Sequence, residues 1–84
     1  MNDQIIPYGK IRSTQELGDV IRYRRKKLKA TQTTVAGLSG VGLRFLSELE
    51  RGKTTVELGK TLQVLGRLGL DIVVVPRSST KSRG

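Results

Sequence analysis

The sequence predicts a mainly α domain of four to five helices closed by one C-terminal β-strand, and three observations carry that expectation. Apolar residues recur at helical spacing in three separate stretches, ending near Leu28, Leu49 and Leu68. Gly37, Gly40 and Gly42 form a dense breaker cluster that forces a turn. Ile72–Val75, ended by Pro76, is the one run with strand character.

Each element has a local reason. Residues 1–12 show no period, and Pro7 and Gly9 mark a flexible or strand-like arm. Ser13 followed three residues later by Glu16 fits a capping box, so helix 1 starts near Thr14. Leu17, Ile21 and Leu28 share one helical stripe, widened by Val20 and interrupted by Arg25. A guanidinium on a core stripe needs an anionic partner. Thr31 is a plausible N-cap for a short helix 2 running to about Leu38. Helix 3 covers Leu43 to Arg51, with Leu46 and Leu49 at i,i+3 and Gly52 as its stop.

Lys53–Val56 is a loop, and helix 4 follows from about Glu57 with Leu58, Leu62, Leu65 and Leu68 on one face and Gly69 closing it. Gly59 and Gly66 weaken that helix by about 1 kcal/mol each relative to Ala, a cost that close packing against another helix would explain. The helical domain therefore spans residues 13–70, the strand 71–76 and a disordered basic tail 77–84. A lone strand cannot satisfy its own backbone, so Ile72, Val73, Val74 and Val75 must pair with the arm, a second copy or a partner.

Composition narrows the function. The 84 residues hold sixteen Lys and Arg against seven Asp and Glu, a net charge of +9 and a pI near 10.7, which points to a polyanionic partner, nucleic acid before an anionic membrane. Six of the sixteen basic residues fall within Arg22–Lys29. With no Cys and no His there are no disulfides, no usual zinc cage and neither of the commonest general-base or thiolate groups. No metal, cofactor or catalytic residue is expected; the chain reads as a non-enzymatic, cytoplasmic protein. No run is long enough to span a bilayer, and residues 1–9 are neither basic nor apolar enough for a secretory signal. So short a chain buries only about 60–65% of its unfolded surface, and a partner subunit is the remaining support.

Two short helices joined by a tight glycine turn are the plan of a helix-turn-helix. Ala36 lies where helices 2 and 3 must approach closely, and Gly40 supplies the turn's positive φ. Leu46 and Leu49 anchor helix 3, leaving Leu43, Arg44, Ser47, Glu48 and Arg51 on its outer side for a DNA groove. Arg44 has the donor fork for guanine O6 and N7. Glu48 either accepts from cytosine N4 or orients Arg44 or Arg51 at i,i+4 or i,i+3 spacing. Arg51, Lys53 and the helix 1 basics suit phosphates. Gly52-Lys53-Thr54 and Gly59-Lys60-Thr61 look like ends of a phosphate-binding loop, but both lack its earlier glycine and preceding strand.

Residues 31–52, from Thr-Gln-Thr-Thr-Val-Ala to Glu-Leu-Glu-Arg-Gly, resemble the helix-turn-helix of phage-repressor-like, xenobiotic-response-element (XRE) family regulators, and the resemblance runs from about Leu17 to Leu70. The Phe45–Gly52 run and the Leu68-Gly69-Leu70-Asp71 ending before a lone strand are most similar to HipB-type antitoxins. The resemblance implies that Gln32, at the start of helix 2, bonds a DNA phosphate and that Thr33 contacts the backbone or a base edge. It implies base reading by Leu43, Arg44, Ser47 and Glu48, and a buried ion pair between Arg25 and Glu50. Gly42 departs from the family's usual Ser or Thr cap, and Leu43 from its usual polar base reader, so Leu43 suits a thymine methyl.

The expected function is thus a homodimeric repressor of palindromic operator DNA, with Ile72–Val75 paired in an intersubunit sheet. The HipB likeness further implies a toxin–antitoxin operon that this protein autoregulates, and a HipA-type Ser/Thr kinase toxin as partner. The alternatives are a stand-alone XRE-family regulator without a toxin, and a basic protein-interaction module.

Overall fold

The computed structural model describes residues 8–77 and contains four helices among them: α1 (Thr14–Lys27), α2 (Gln32–Ser39), α3 (Leu43–Glu50) and α4 (Leu58–Arg67). Their ends follow local chemistry. The Ser13 hydroxyl accepts from the Glu16 N–H at 3.0 Å, and Thr31 Oγ1 does the same for Thr34 N–H at 3.1 Å. The reciprocal bond of the capping box goes one residue further back, from Arg12 N–H to Glu16 Oε1. Gly40 ends α2 at φ 73°, with the Val41 N–H returning to the Ala36 carbonyl. At the equivalent place after α1 stands Lys29, the one non-glycine residue with positive φ among those described. Gly42 offers α3 no side-chain cap bond.

The core is Ile21 of α1, Val35 and Ala36 of α2, Leu46 and Leu49 of α3, and Val64, Leu65 and Leu68 from α4 and its cap. Two expectations about stripes change. Leu28 is exposed, because α1 ends at Lys27 and the chain turns before the stripe is completed. On α4 the buried face is Thr61, Val64, Leu65 and Leu68, while Leu58 and Leu62 are 65% and 46% exposed. The helix is rotated so that Thr61 points inward, which its hydroxyl tolerates by donating to the Glu57 carbonyl at 2.8 Å.

The glycines also differ from expectation. Gly66 has nothing within 4 Å of a would-be Cβ, and Gly59 has only the end of Glu57 at 3.9 Å, so neither permits a close helix contact. Gly18 on α1 does. A Cβ there would lie 2.6 Å from the carbonyl oxygens of both Leu49 and Glu50, so α1 and α3 meet backbone to backbone. Thr14 Oγ1 extends the same contact by donating to the Gly52 carbonyl at 2.8 Å.

Of the expected arm, residues 1–7 lie outside the described residues; Tyr8 packs edge-on against Tyr23 of α1 at 5.7 Å. The expected tail lies outside them from residue 78 onward. Ile72–Val75 is exposed along its length, Val74 to 91%, and has no regular secondary structure in the single chain. A β-ladder takes two strands, and no second one lies beside this segment among the described residues.

Candidate nucleic-acid interface

The interface is built on the α1–α3 contact. Arg25 and Glu50 meet there in a two-pronged pair, Nε to Oε2 at 2.6 Å and Nη2 to Oε1 at 2.9 Å, with both side chains almost fully buried. Arg25 Nη1 also donates to the Ala30 carbonyl at 2.9 Å, tying the pair to the α1–α2 loop. Burial pushes the Glu50 carboxyl up, but hydrogen bonds from Arg25 and Gln32 outweigh it and hold the group below the usual carboxylate range. The bond to Glu50 likewise raises Arg25, so the pair stays ionised.

Gln32, the first residue of α2, donates Nε2 to Glu50 Oε1 at 3.0 Å. Glu50 therefore links α1, α2 and α3. One amide hydrogen of Gln32 remains, beside the uncapped N–H groups of Gln32 and Thr33 at the helix start. Thr33 is exposed. Arg22, Gln32, Ser47, Glu50 and Arg51 line a polar cleft of about 310 Å³ at this junction. Arg22 is the residue that sequence reasoning leaves undistinguished within the basic run; nothing local separates it from Lys26 or Lys27. The fold does so by turning it toward Gln32 and Arg51. With Glu50 neutralised by Arg25, the two other guanidinium groups make this cleft suited to a phosphate.

On the outer side of α3, Leu43 is exposed and the Arg44 side chain is 90% exposed. Arg44 Nε lies 3.3 Å from Glu48 Oε2, one turn on, and Lys53 Nζ lies 3.0 Å from Glu48 Oε1. The Lys53 hydrogen bond leads in holding the Glu48 carboxyl below its usual range; desolvation opposes it, and the bond from Arg44 adds a lesser lowering. Ser47 Oγ accepts from Arg51 Nη1 at 2.6 Å. Six of the eight sequence-predicted residues thus fall into two groups, Gln32, Ser47 and Arg51 around the cleft and Arg44, Glu48 and Lys53 in one chain of charges, while Thr33 and Leu43 stand exposed outside both. Phe45 is partly buried against the core, with Lys60 Nζ 5.7 Å from its ring centre.

Among the described residues no group of His, Cys, Asp or Glu could hold a metal, and no helix is long and apolar enough to cross a membrane.

No protein-family model matches the chain. It is 42% identical over 66 residues to the uncharacterized HTH-type transcriptional regulator y4mF of Sinorhizobium fredii, covering 79% of this chain and 87% of that one. The chain belongs to the HTH-type transcriptional regulators. Within them its fold is that of HipB. The regulator superposes on the HipB chain of a HipB-O4 20mer complex with a TM-score of 0.76 at 22% identity, over 82% of this chain and 97% of that one. The HipA-HipB-O2-O3 complex gives the same TM-score, identity and coverage. The expected mainly α helix-turn-helix architecture is therefore the one observed.

Proposed function

We propose that this HTH-type regulator is a homodimeric, sequence-specific repressor of the HipB-antitoxin type, which represses its own operon in the bacterial cytoplasm and binds a HipA-type Ser/Thr kinase toxin. The observation that carries the DNA-binding part is the posture of α3. Leu46 and Leu49 lock its inner side into the core, while Leu43 and Arg44 stand exposed at its N-terminal end, where a recognition helix meets base edges. Arg44 donates to guanine, Leu43 packs on a thymine methyl, and Ser47 faces the next step of the groove. Gln32, Thr33, Arg51 and Lys53 hold the backbone, helped by the net charge of +9.

The dimer joins through Ile72–Val75, four exposed apolar residues that gain both hydrogen-bond partners and cover when two copies pair. Two α3 helices then address half-sites about one DNA turn apart, or a multiple of it. The toxin half of the proposal draws support from the likeness to HipB, whose structures include a complex with HipA.

Binding to the DNA upstream of its own gene, against a scrambled duplex at several salt concentrations, tests the repressor. A preference of about 10³ or more at physiological salt is expected. Equal binding that collapses as salt rises would leave only charge. Co-purification with the product of the adjacent gene tests the toxin; its failure reduces the protein to a stand-alone regulator. Sedimentation of Val74→Lys tests the strand, with a shift to monomer expected and a persisting tight dimer refuting the pairing.

A further inference from the structure

The Arg44–Glu48 pair is poorly placed to stabilise α3. Arg44 stands in the first turn, at the positive end of the helix dipole, and Glu48 in the last, at the negative end. That is the weaker order for an i,i+4 pair, and exposed pairs add at most a few tenths of a kcal/mol in any case. Its geometry, however, does something specific to Arg44. An arginine side chain that is 90% exposed is otherwise free to sample many rotamers. Anchoring Nε to the carboxylate, at 3.3 Å, biases the orientation of the guanidinium plane and leaves the Nη1 and Nη2 hydrogens unused. Those are two parallel donors, the pattern that guanine O6 and N7 accept.

Glu48 itself is occupied. Its side chain is only 22% exposed, one oxygen faces Arg44 and the other accepts from Lys53 at 3.0 Å. A cytosine N4 would have to share the carboxylate with both cations. Lys53 keeps two further ammonium hydrogens for a phosphate and, by balancing the carboxylate, leaves Arg44 a net positive reader. The carboxylate also sits on a basic surface that meets a polyanion, where its negative charge lowers affinity for any duplex whatever its sequence.

We infer that Glu48 is a positioning residue that does not read a base: it orients Arg44 end-on for a guanine and couples that contact to the backbone contact of Lys53, converting non-specific affinity into specificity. This rests on the reading of α3 as a recognition helix with Arg44 as a base reader.

The test selects binding sites from a pool of duplexes randomised over about two turns, then measures affinity for the selected and scrambled duplexes. The proteins are the wild type, Arg44→Ala, Glu48→Gln, Lys53→Met and the Arg44→Ala/Glu48→Gln double variant. Arg44→Ala is expected to erase the preference for guanine at one position. Glu48→Gln, nearly identical in shape, is expected to broaden that same position, bind the scrambled duplex more tightly and lower the selected-to-scrambled ratio by about two- to threefold. Lys53→Met should lower the ratio as well while weakening both duplexes. The double variant should lose no more specificity than Arg44→Ala alone, since Glu48 acts through Arg44. An unchanged selection with Glu48→Gln overturns the inference, as does a further loss in the double variant or a change at a different position, which would make Glu48 a reader itself. If Arg44→Ala leaves the selected sequence unchanged, the base-reading role of Arg44 fails, and the inference falls with it.

Discussion

The contact between α1 and α3 is closed by backbone against backbone, whereas the one between α2 and α4 is spanned by long side chains with a cleft left between them. On the first side Gly18 admits the Leu49 and Glu50 carbonyls, and Arg25 and Glu50 bond across the seam. On the second, Gln63 and Arg67 reach out to the Ser39 and Leu38 carbonyls, and about 420 Å³ of open cleft lies between Leu38, Leu62 and Gly66. Ser39 Oγ is buried there without a hydrogen-bond partner. Close tolerance has been placed where α3 is held. Under the proposed function α3 carries base readers, which must be positioned to within about half an ångström, and a rigid seat for their helix does that. The α2–α4 side carries no such demand.

The comparison can be broken most strongly at Glu50. Glu50→Ala leaves Arg25 buried and unpaired and frees Gln32, and should cost about 3–5 kcal/mol of the roughly 5–10 available to a domain of this size, read as a fall in the urea midpoint. The same group gives the acid limb its shape. Because the folded Glu50 pKa lies below its unfolded value, the stability it contributes is fully present above the unfolded pKa of about 4.3 and is lost as pH falls through the lower folded value. Glu50→Gln should flatten that part of the stability–pH profile; an unchanged acid limb would show that other carboxylates set it.

Alanine at two glycines should act with opposite sign. Gly18→Ala forces a Cβ to 2.6 Å from two carbonyl oxygens and should destabilise by about 1–3 kcal/mol despite alanine's helix preference. Gly66→Ala meets open space in the last turn of α4 and should stabilise by up to about 1 kcal/mol, raising Tm. Equal effects at both sites would mean that the two helix contacts do not differ as described. Ser39→Ala removes the unpaired hydroxyl from the looser side and should stabilise by up to about 1 kcal/mol, the smallest of these effects.

Much of this molecule is legible one segment at a time. Ser13, Thr31, Gly40, Gly52 and Gly69 mark helix ends because caps and positive-φ turns are made with neighbours only a few residues away. The outward placement of Leu43 and Arg44 likewise follows from anchoring α3 at Leu46 and Leu49. The inward turn of α4 is less accessible: Leu58, Leu62 and Leu65 make as good a stripe on paper as Thr61, Val64 and Leu65, because the two faces differ by only a fraction of a turn about the helix axis. Only the position of α2 beside α4 selects between them.

The amino-acid sequence by itself determined the helices, the turn and the basic character of the chain, since each depends on local propensity, capping and charge. Tertiary structure alone decided that Gly18 is the glycine where helices touch and that Arg22 joins Gln32 and Arg51 in one cleft. Each of these depends on which backbone or charge another element brings within a few ångströms. Spacing along a single helix carries no record of that.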